Sequence, residues 1–352
     1  VYGRSGSGKT SYILEKIASL AEAGADSVLI VPEQYAYTAE RELAGYCGTS
    51  ITLHAEVLTF RGLAKRVFAE TGGSPVAIEE SGKYLAMYRA YNDVSNALRV
   101  YRGRRIHELC KKLVSCIDEF KRYRISPEDI TFEEDSCGGL YDKLHDLSIL
   151  YSAYEAIVGK ITGGETDELS ELYLRLSESK WFGGKHIFFD GFSSYSLAEL
   201  AVVQNAAEDS DEVTVTLLTD SCDDSGEPVF DYARETLADI RRVCGEVLCV
   251  SSGSSQSERF GDKNNGVSIL ERELFSRSGK AIDYSGKDEV RLVSASSARV
   301  ECEIAAADIR RLVIEKKMRW RDISVLVPPE CAPLAAAVFT KYNIPYFSDM
   351  RF

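Results

Sequence analysis

Eight consecutive residues near the start of the chain, Gly3-Arg4-Ser5-Gly6-Ser7-Gly8-Lys9-Thr10, fit the spacing G-x-x-x-x-G-K-[ST] in full. Glycine permits backbone angles that turn successive N–H groups inward, and a helix that starts at such a turn offers its positive end to an anion. The chemistry this suits is the cradling of a phosphate chain, with Lys9 reaching the terminal phosphates and Thr10 holding Mg²⁺ beside them. All eight residues are candidate nucleotide contacts, and ATP with Mg²⁺ is the expected cofactor. The plain alternative is a bare glycine-rich turn, and the order strand, turn, helix around the motif argues against it.

A metal held in this way needs an acidic residue from the end of another strand. Ile187-Phe188-Phe189 is an apolar run that ends in Asp190, which makes Thr10 and Asp190 the candidate metal contacts. Aspartate after a strand is also a common turn former. The next residue is Gly191, where a working motor would carry a glutamate to orient the attacking water. The expectation is nucleotide binding without efficient hydrolysis, and no residue is assigned as catalytic. An active ATPase or small-molecule kinase, the rival reading, would need another carboxylate as base, and Glu33 is the candidate. A second rival is a purely structural subunit that retains the loop as a relic.

The elements that must position these residues follow from apolar periodicity. A helix is expected after Gly8, a short buried strand at Ser27–Val31 ended by Pro32, a helix over Tyr35–Tyr46, a strand at Ser50–Leu53 and a helix over Thr59–Thr71. From about Glu79 to Ser179 the period is helical almost throughout. Strand signals return at His186–Asp190, Val213–Leu218 and Val247–Val250, with helices near Leu197–Ala207 and Asp231–Val243 between them. Residues Ser251–Gly266 read as a loop or linker. Beyond it come strands at Val290–Val293 and Ile323–Val327, helices over Val300–Glu315 and Cys331–Tyr342, and a strand entry at Asn343–Phe347. The expected fold is therefore an α/β parallel sheet lobe from residues 1–75 and 181–255, a large helical insert at 76–180, and a linker with the start of a second α/β lobe at 256–352. Both ends of the chain are expected to be cut, because Val1-Tyr2-Gly3 reads as the tail of a strand and the last residues open one.

With 352 residues, of which 45% are hydrophobic, the chain is long enough for two or three domains. It shows no apolar stretch of membrane-spanning length and no leader, so a cytoplasmic protein without a membrane association is expected. A net charge of −13 argues against a protein that coats nucleic acid indiscriminately. The charge is uneven, since Arg99 to Arg124 holds Arg99, Arg102, Arg104, Arg105, Lys111, Lys112, Lys121, Arg122 and Arg124 against only Glu108, Asp118 and Glu119. That stripe, with Tyr101 and Tyr123, suits phosphate contact by a helical domain as well as it suits a solvated helix face. Nine cysteines without paired spacing or nearby histidines support neither a disulfide framework nor a zinc site.

Taken in order, Gly3–Thr10, Val31-Pro32-Glu33-Gln34, Leu58-Thr59-Phe60 with Leu63-Ala64 and Arg66-Val67-Phe68, Asp118-Glu119-Phe120-Lys121 and Asp190-Gly191-Phe192 resemble the blocks of the UvrD-like superfamily 1 helicases. The closer resemblance is to the AddB (RexB) family of bacterial ATP-dependent helicase-nucleases, and it continues through Glu301, Ile309, Ile323–Leu326 and Ile344-Pro345-Tyr346. It implies a RecA-like P-loop NTPase lobe in a subunit that pairs with an AddA-type helicase-nuclease to process DNA double-strand ends for recombinational repair. Scanning for a Chi-type signal, rather than translocation, is the implied role. By position Gln34, Thr59, Phe60, Lys65 and Phe192 are implied contacts to single-stranded DNA, with Arg104 and Arg105 from the basic stripe. Where the family commonly has a Ser-Arg pair after the phenylalanine, this chain has Arg61-Gly62. The family's nuclease domain and iron–sulfur cysteines are expected beyond the end of this chain.

Overall fold

Strands form here where apolar residues alternate between two covered faces. In the computed structural model, Val28 and Ile30 of β2 (Asp26–Ile30) pack to one side, and Leu29 with the following Val31 packs to the other. Burial on both faces is the mark of a parallel sheet sandwiched by helices. The structure describes residues 1–47, 53–72, 78–103, 106–130, 139–162, 168–223, 225–252, 266–276, 284 and 290–348. They divide into two compact units, Val1–Ile282 and Asp283–Phe352.

The first unit is a mixed α/β structure. β3 (Ala55–Leu58), β2, β4 (Lys185–Phe189) and β5 (Glu212–Val215) lie side by side and parallel, in the order β3-β2-β4-β5. At Thr216 the chain changes neighbours. The Thr216 N–H bonds Phe189 O at 2.9 Å, whereas the Leu217 N–H bonds Val1 O at 2.9 Å. β6 (Leu217–Leu218) thereby pairs in parallel with β1 (Tyr2–Gly3).

One face of the sheet is covered by α1 (Lys9–Glu22) through Ile13, Leu14 and Ile17, and by α2 (Ala36–Cys47) through Ala39 and Leu43. The other is covered by α3 (Phe60–Thr71), α7 (Glu168–Ser179), α8 (Leu197–Asp209) and α9 (Asp231–Cys244). Between α3 and α7 stand α4 (Glu80–Val94), α5 (Ile106–Arg122) and α6 (Gly139–Thr162), which bury a core of their own around Met87, Ile117, Leu150 and Tyr154. Asp146 of α6, fully buried, ties the preceding loop to this core by accepting the N–H groups of Arg99, Val100 and Tyr101 at 2.7–2.9 Å. Burial pushes its carboxyl up, but those bonds together with His145 outweigh it and hold the group below the usual range. A short helix, α10 (Gly266–Glu273), follows late in this unit. None of the helices among the described residues is long and apolar enough to cross a membrane.

The second unit pairs α11 (Ala298–Glu315) with α12 (Ala332–Lys341) around Ala306, Ile309, Ala335, Val338 and Phe339. Here the expected strands at 290–293, 323–327 and 343–347 do not form a ladder among the described residues. An extended segment becomes a strand only when a neighbour takes up its N–H and C=O groups, and Leu292 and Leu326 in these segments are fully exposed. Two more corrections concern the first unit. The strand expected at 50–53 starts at Ala55, with Leu53 exposed before it and 50–52 outside the described residues. Val247–Val250 is not a strand, since β1 is only two residues long and offers the neighbouring segment a single bridge, Tyr2 to Ser251.

Candidate functional site

The carboxyl ends of β1 to β6 share one edge, as the registers Ile30 with Leu58 and Phe189, Phe189 with Val215, and Gly3 with Leu218 require. In open parallel sheets this is the edge that binds ligands. The glycine-rich loop leaves β1 there and runs into α1. Gly6 and Gly8 sit in the left-handed region at φ 75° and 87°, which a side chain would strain. Gly8 is also the helix N-cap and has no side chain to cap with, and no acidic residue lies in the first turn, so the end of α1 keeps its donors and its positive potential. Gly3 is required for a different reason. A Cβ there would stand 2.2 Å from Ser7 Oγ and 2.4 Å from Ser252 Oγ, two hydroxyls that hydrogen-bond each other at 2.7 Å.

Lys9 folds back over the loop and donates to the carbonyl oxygens of Gly3 at 2.7 Å and Arg4 at 2.9 Å. Burial lowers the pKa of its ammonium group, and the nearby Asp190 only partly opposes this. Thr10, one residue on, donates its hydroxyl to Asp190 Oδ2 at 2.9 Å. Asp190 is 3% exposed and also receives the hydroxyl of Thr216 on Oδ1 at 2.5 Å. Thr10 and Asp190 thus come together from elements 180 residues apart, although the strand of Asp190 is not the immediate neighbour of β1. One stretch of chain, β5 with β6, stands between them. Thr216 is a part of the site that the motifs do not reach, and its signal is the second threonine of the run Val213-Thr214-Val215-Thr216-Leu217-Leu218.

Gly191 follows with φ 81°, its Cα facing Pro32, whose Cδ would lie 3.4 Å from an added Cβ. The position where a working motor would carry a glutamate is therefore one whose backbone disfavours any side chain. Among the described residues no group of three or more His, Cys, Asp or Glu could enclose a metal. Thr10 and Asp190 are two hard oxygen ligands, which fits Mg²⁺ completed by phosphate and water.

Gln34 and Glu33 are exposed in the turn after β2, and Lys65 is exposed on α3. Thr59 caps α3, its hydroxyl accepting the Gly62 N–H at 3.0 Å. Phe60 is 8% exposed and lies in the core, 6.1 Å from the Phe189 ring and 5.4 Å from the half-buried Phe192. Arg104 and Arg105 lie outside the described residues. Within the basic stripe, Arg99 pairs with Asp142 at 2.8 Å and Lys121 with Glu155 at 2.7 Å. Lys111, Lys112 and Arg122 share a cleft with Glu80, Glu108, Glu119 and Glu199, so the stripe faces acidic groups as well as solvent.

A mixed α/β fold with small parallel sheets and extensive helical content is consistent with a helicase-like fold. A family model described as ADDB, N-terminal, matches residues 1–265. The B-type subunit of the ATP-dependent helicase/deoxyribonuclease of Caldanaerobacter subterraneus subsp. tengcongensis is 31% identical over an alignment of 368 positions, which takes in 100% of this chain and 31% of that protein. The proteins of the same name from a Thermoanaerobacter species and Clostridium tetani are each 30% identical, again over 100% of this chain and 32% of their own length. The chain belongs to the AddB family. It spans about a third of the length of the curated relatives it matches.

Proposed function

We propose that this chain is the nucleotide-binding, helicase-like part of an AddB-type subunit that works on DNA ends in recombinational repair, binding Mg-ATP with little or no hydrolysis. In this reading the lobe of residues 1–75 and 181–255 is RecA-like, 76–180 is its helical insert, and 256–352 begins a second lobe. Lys9 and the loop N–H groups of Gly6 to Thr10 would hold the phosphates, and Thr10 with Asp190 the metal. The bound Mg²⁺ would neutralise phosphate charge. The observation that carries the reading is the 2.9 Å contact between Thr10 and Asp190, with a left-handed glycine next in the chain where a base would be needed.

Gln34, Lys65 and Phe192, at the strand-end edge or on the helix that starts from it, are the proposed contacts to single-stranded DNA. Thr59 and Phe60 support them from below through the helix cap and the aromatic cluster. The names of the relatives support pairing with an AddA-type subunit, and reading of a Chi-type signal belongs to the same proposal.

Isothermal titration with Mg-ATP tests the first part. Wild-type protein should bind and Lys9→Ala should not. Equal binding by both, or a steady ATPase rate comparable to a motor helicase, would overturn the reading.

A further inference from the structure

Arg4 belongs to the glycine-rich loop, yet its side chain is held by a distant element. Its Nε donates to Glu271 Oε1 at 2.8 Å and its Nη2 to the Glu271 carbonyl at 2.6 Å, both on α10. Nη1 lies 3.8 Å from Glu227 Oε2, and the guanidinium stands 5.3 Å from the centre of the Phe230 ring. The three charged side chains are only 22–24% exposed, so solvent screens them incompletely. Glu227 Oε2 is buried and makes no hydrogen bond among the described residues.

Two further facts give this cluster a consequence. Both cations of the loop are occupied by the protein itself, Lys9 on the Gly3 and Arg4 carbonyls and Arg4 on carboxylates. Moreover α10 contributes nothing to the apolar clusters among the described residues, and Val267, Leu270 and Leu274 of this segment are exposed. The Arg4 contact is therefore one of the ties that hold α10 to the unit. A triphosphate entering the loop meets two carboxylates of its own sign and a guanidinium already committed.

We propose that Glu271 is a positioning residue that sets the affinity of the loop for nucleotide, acting through Arg4. It keeps Arg4 off the phosphates and weakens Mg-ATP binding; a bound triphosphate draws Arg4 away and so loosens α10. The two contacts oppose each other by the same free energy, whichever is measured. This inference rests on the reading of the loop as a nucleotide site.

The test uses the full-length subunit, titrated with Mg-ATP as wild type, Glu271→Gln, Glu271→Ala and Lys9→Ala, with hydrogen exchange of residues 266–276 followed with and without nucleotide. Glutamine and alanine both keep the helix, and glutamine removes only the charge. The expected result is about three- to tenfold tighter binding by both Glu271 variants and faster exchange across α10 when wild type is saturated. Unchanged or weaker binding by the variants, or exchange across α10 that nucleotide leaves alone or slows, would overturn the proposal while the nucleotide site stands. Absence of binding by wild type would remove the nucleotide site and this proposal together.

Discussion

Thr10 donates its hydroxyl to Asp190 at 2.9 Å, joining the first turn of α1 to the end of β4. The same carboxylate takes the Thr216 hydroxyl on its other oxygen, so it is fixed before any ligand arrives. Such preorganisation lowers the cost of capturing a cation.

Removing that carboxylate has two effects that separate. Asp190→Ala leaves the Thr10 and Thr216 hydroxyls without their acceptor and should cost about 1–3 kcal/mol in urea unfolding. Asp190→Asn keeps an acceptor and most of the stability but should abolish the magnesium dependence of ATP binding. Retention of that dependence in the asparagine variant would show that the metal is held elsewhere.

Gly191→Glu tests whether hydrolysis is missing only for want of a carboxylate. With φ at 81° the backbone disfavours the side chain, so a loss of about 1–2 kcal/mol and no gain in ATPase rate are expected. A glutamate variant that folds as stably as wild type and hydrolyses ATP would contradict the geometric argument.

Lys9 gives a pH test. Burial lowers its pKa in the free protein, and a bound triphosphate should restore it, so nucleotide affinity should fall as pH rises through the lowered value. Proton uptake on binding, seen as a dependence of titration heat on the buffer, should appear in the same range. For folding the sign is that of a penalty, present below the lowered pKa and relieved as pH approaches the unfolded value.

Asp146 makes the opposite pH prediction. Its carboxyl is held low, so its stabilising bonds are intact above the ordinary carboxylate pKa and are lost as pH falls through the lowered one. Asp146→Ala should destabilise the core of α4, α5 and α6 by about 1–3 kcal/mol at pH 7, because three half-buried backbone N–H groups lose this acceptor. The difference from wild type should shrink on acidification, which melts at pH 7 and pH 3 would register.

The glycine turn, the buried strands and Asp190 are legible because each is written in neighbouring residues. Phe60 is a different case: the resemblance implied a contact to single-stranded DNA, whereas Phe60, Leu63, Ala64, Val67 and Phe68 share the buried stripe of α3, which places its ring in the core. Glu271 is not legible, as it meets Arg4 across 267 residues from beyond the Ser251–Gly266 stretch that reads as a linker. The apolar runs at 290–293 and 323–327 carry strand composition but find no ladder partner among the described residues, and composition alone does not specify one.

Thr216 has one more implication. It is the residue at which a single stretch of chain lets go of β4 and takes hold of β1, so it works as a gauge block between the glycine turn and Asp190. Adding one residue at this point would slip one half past the other by a strand step of roughly 3.3 Å, with each half still folded and neither able to reach the same ion.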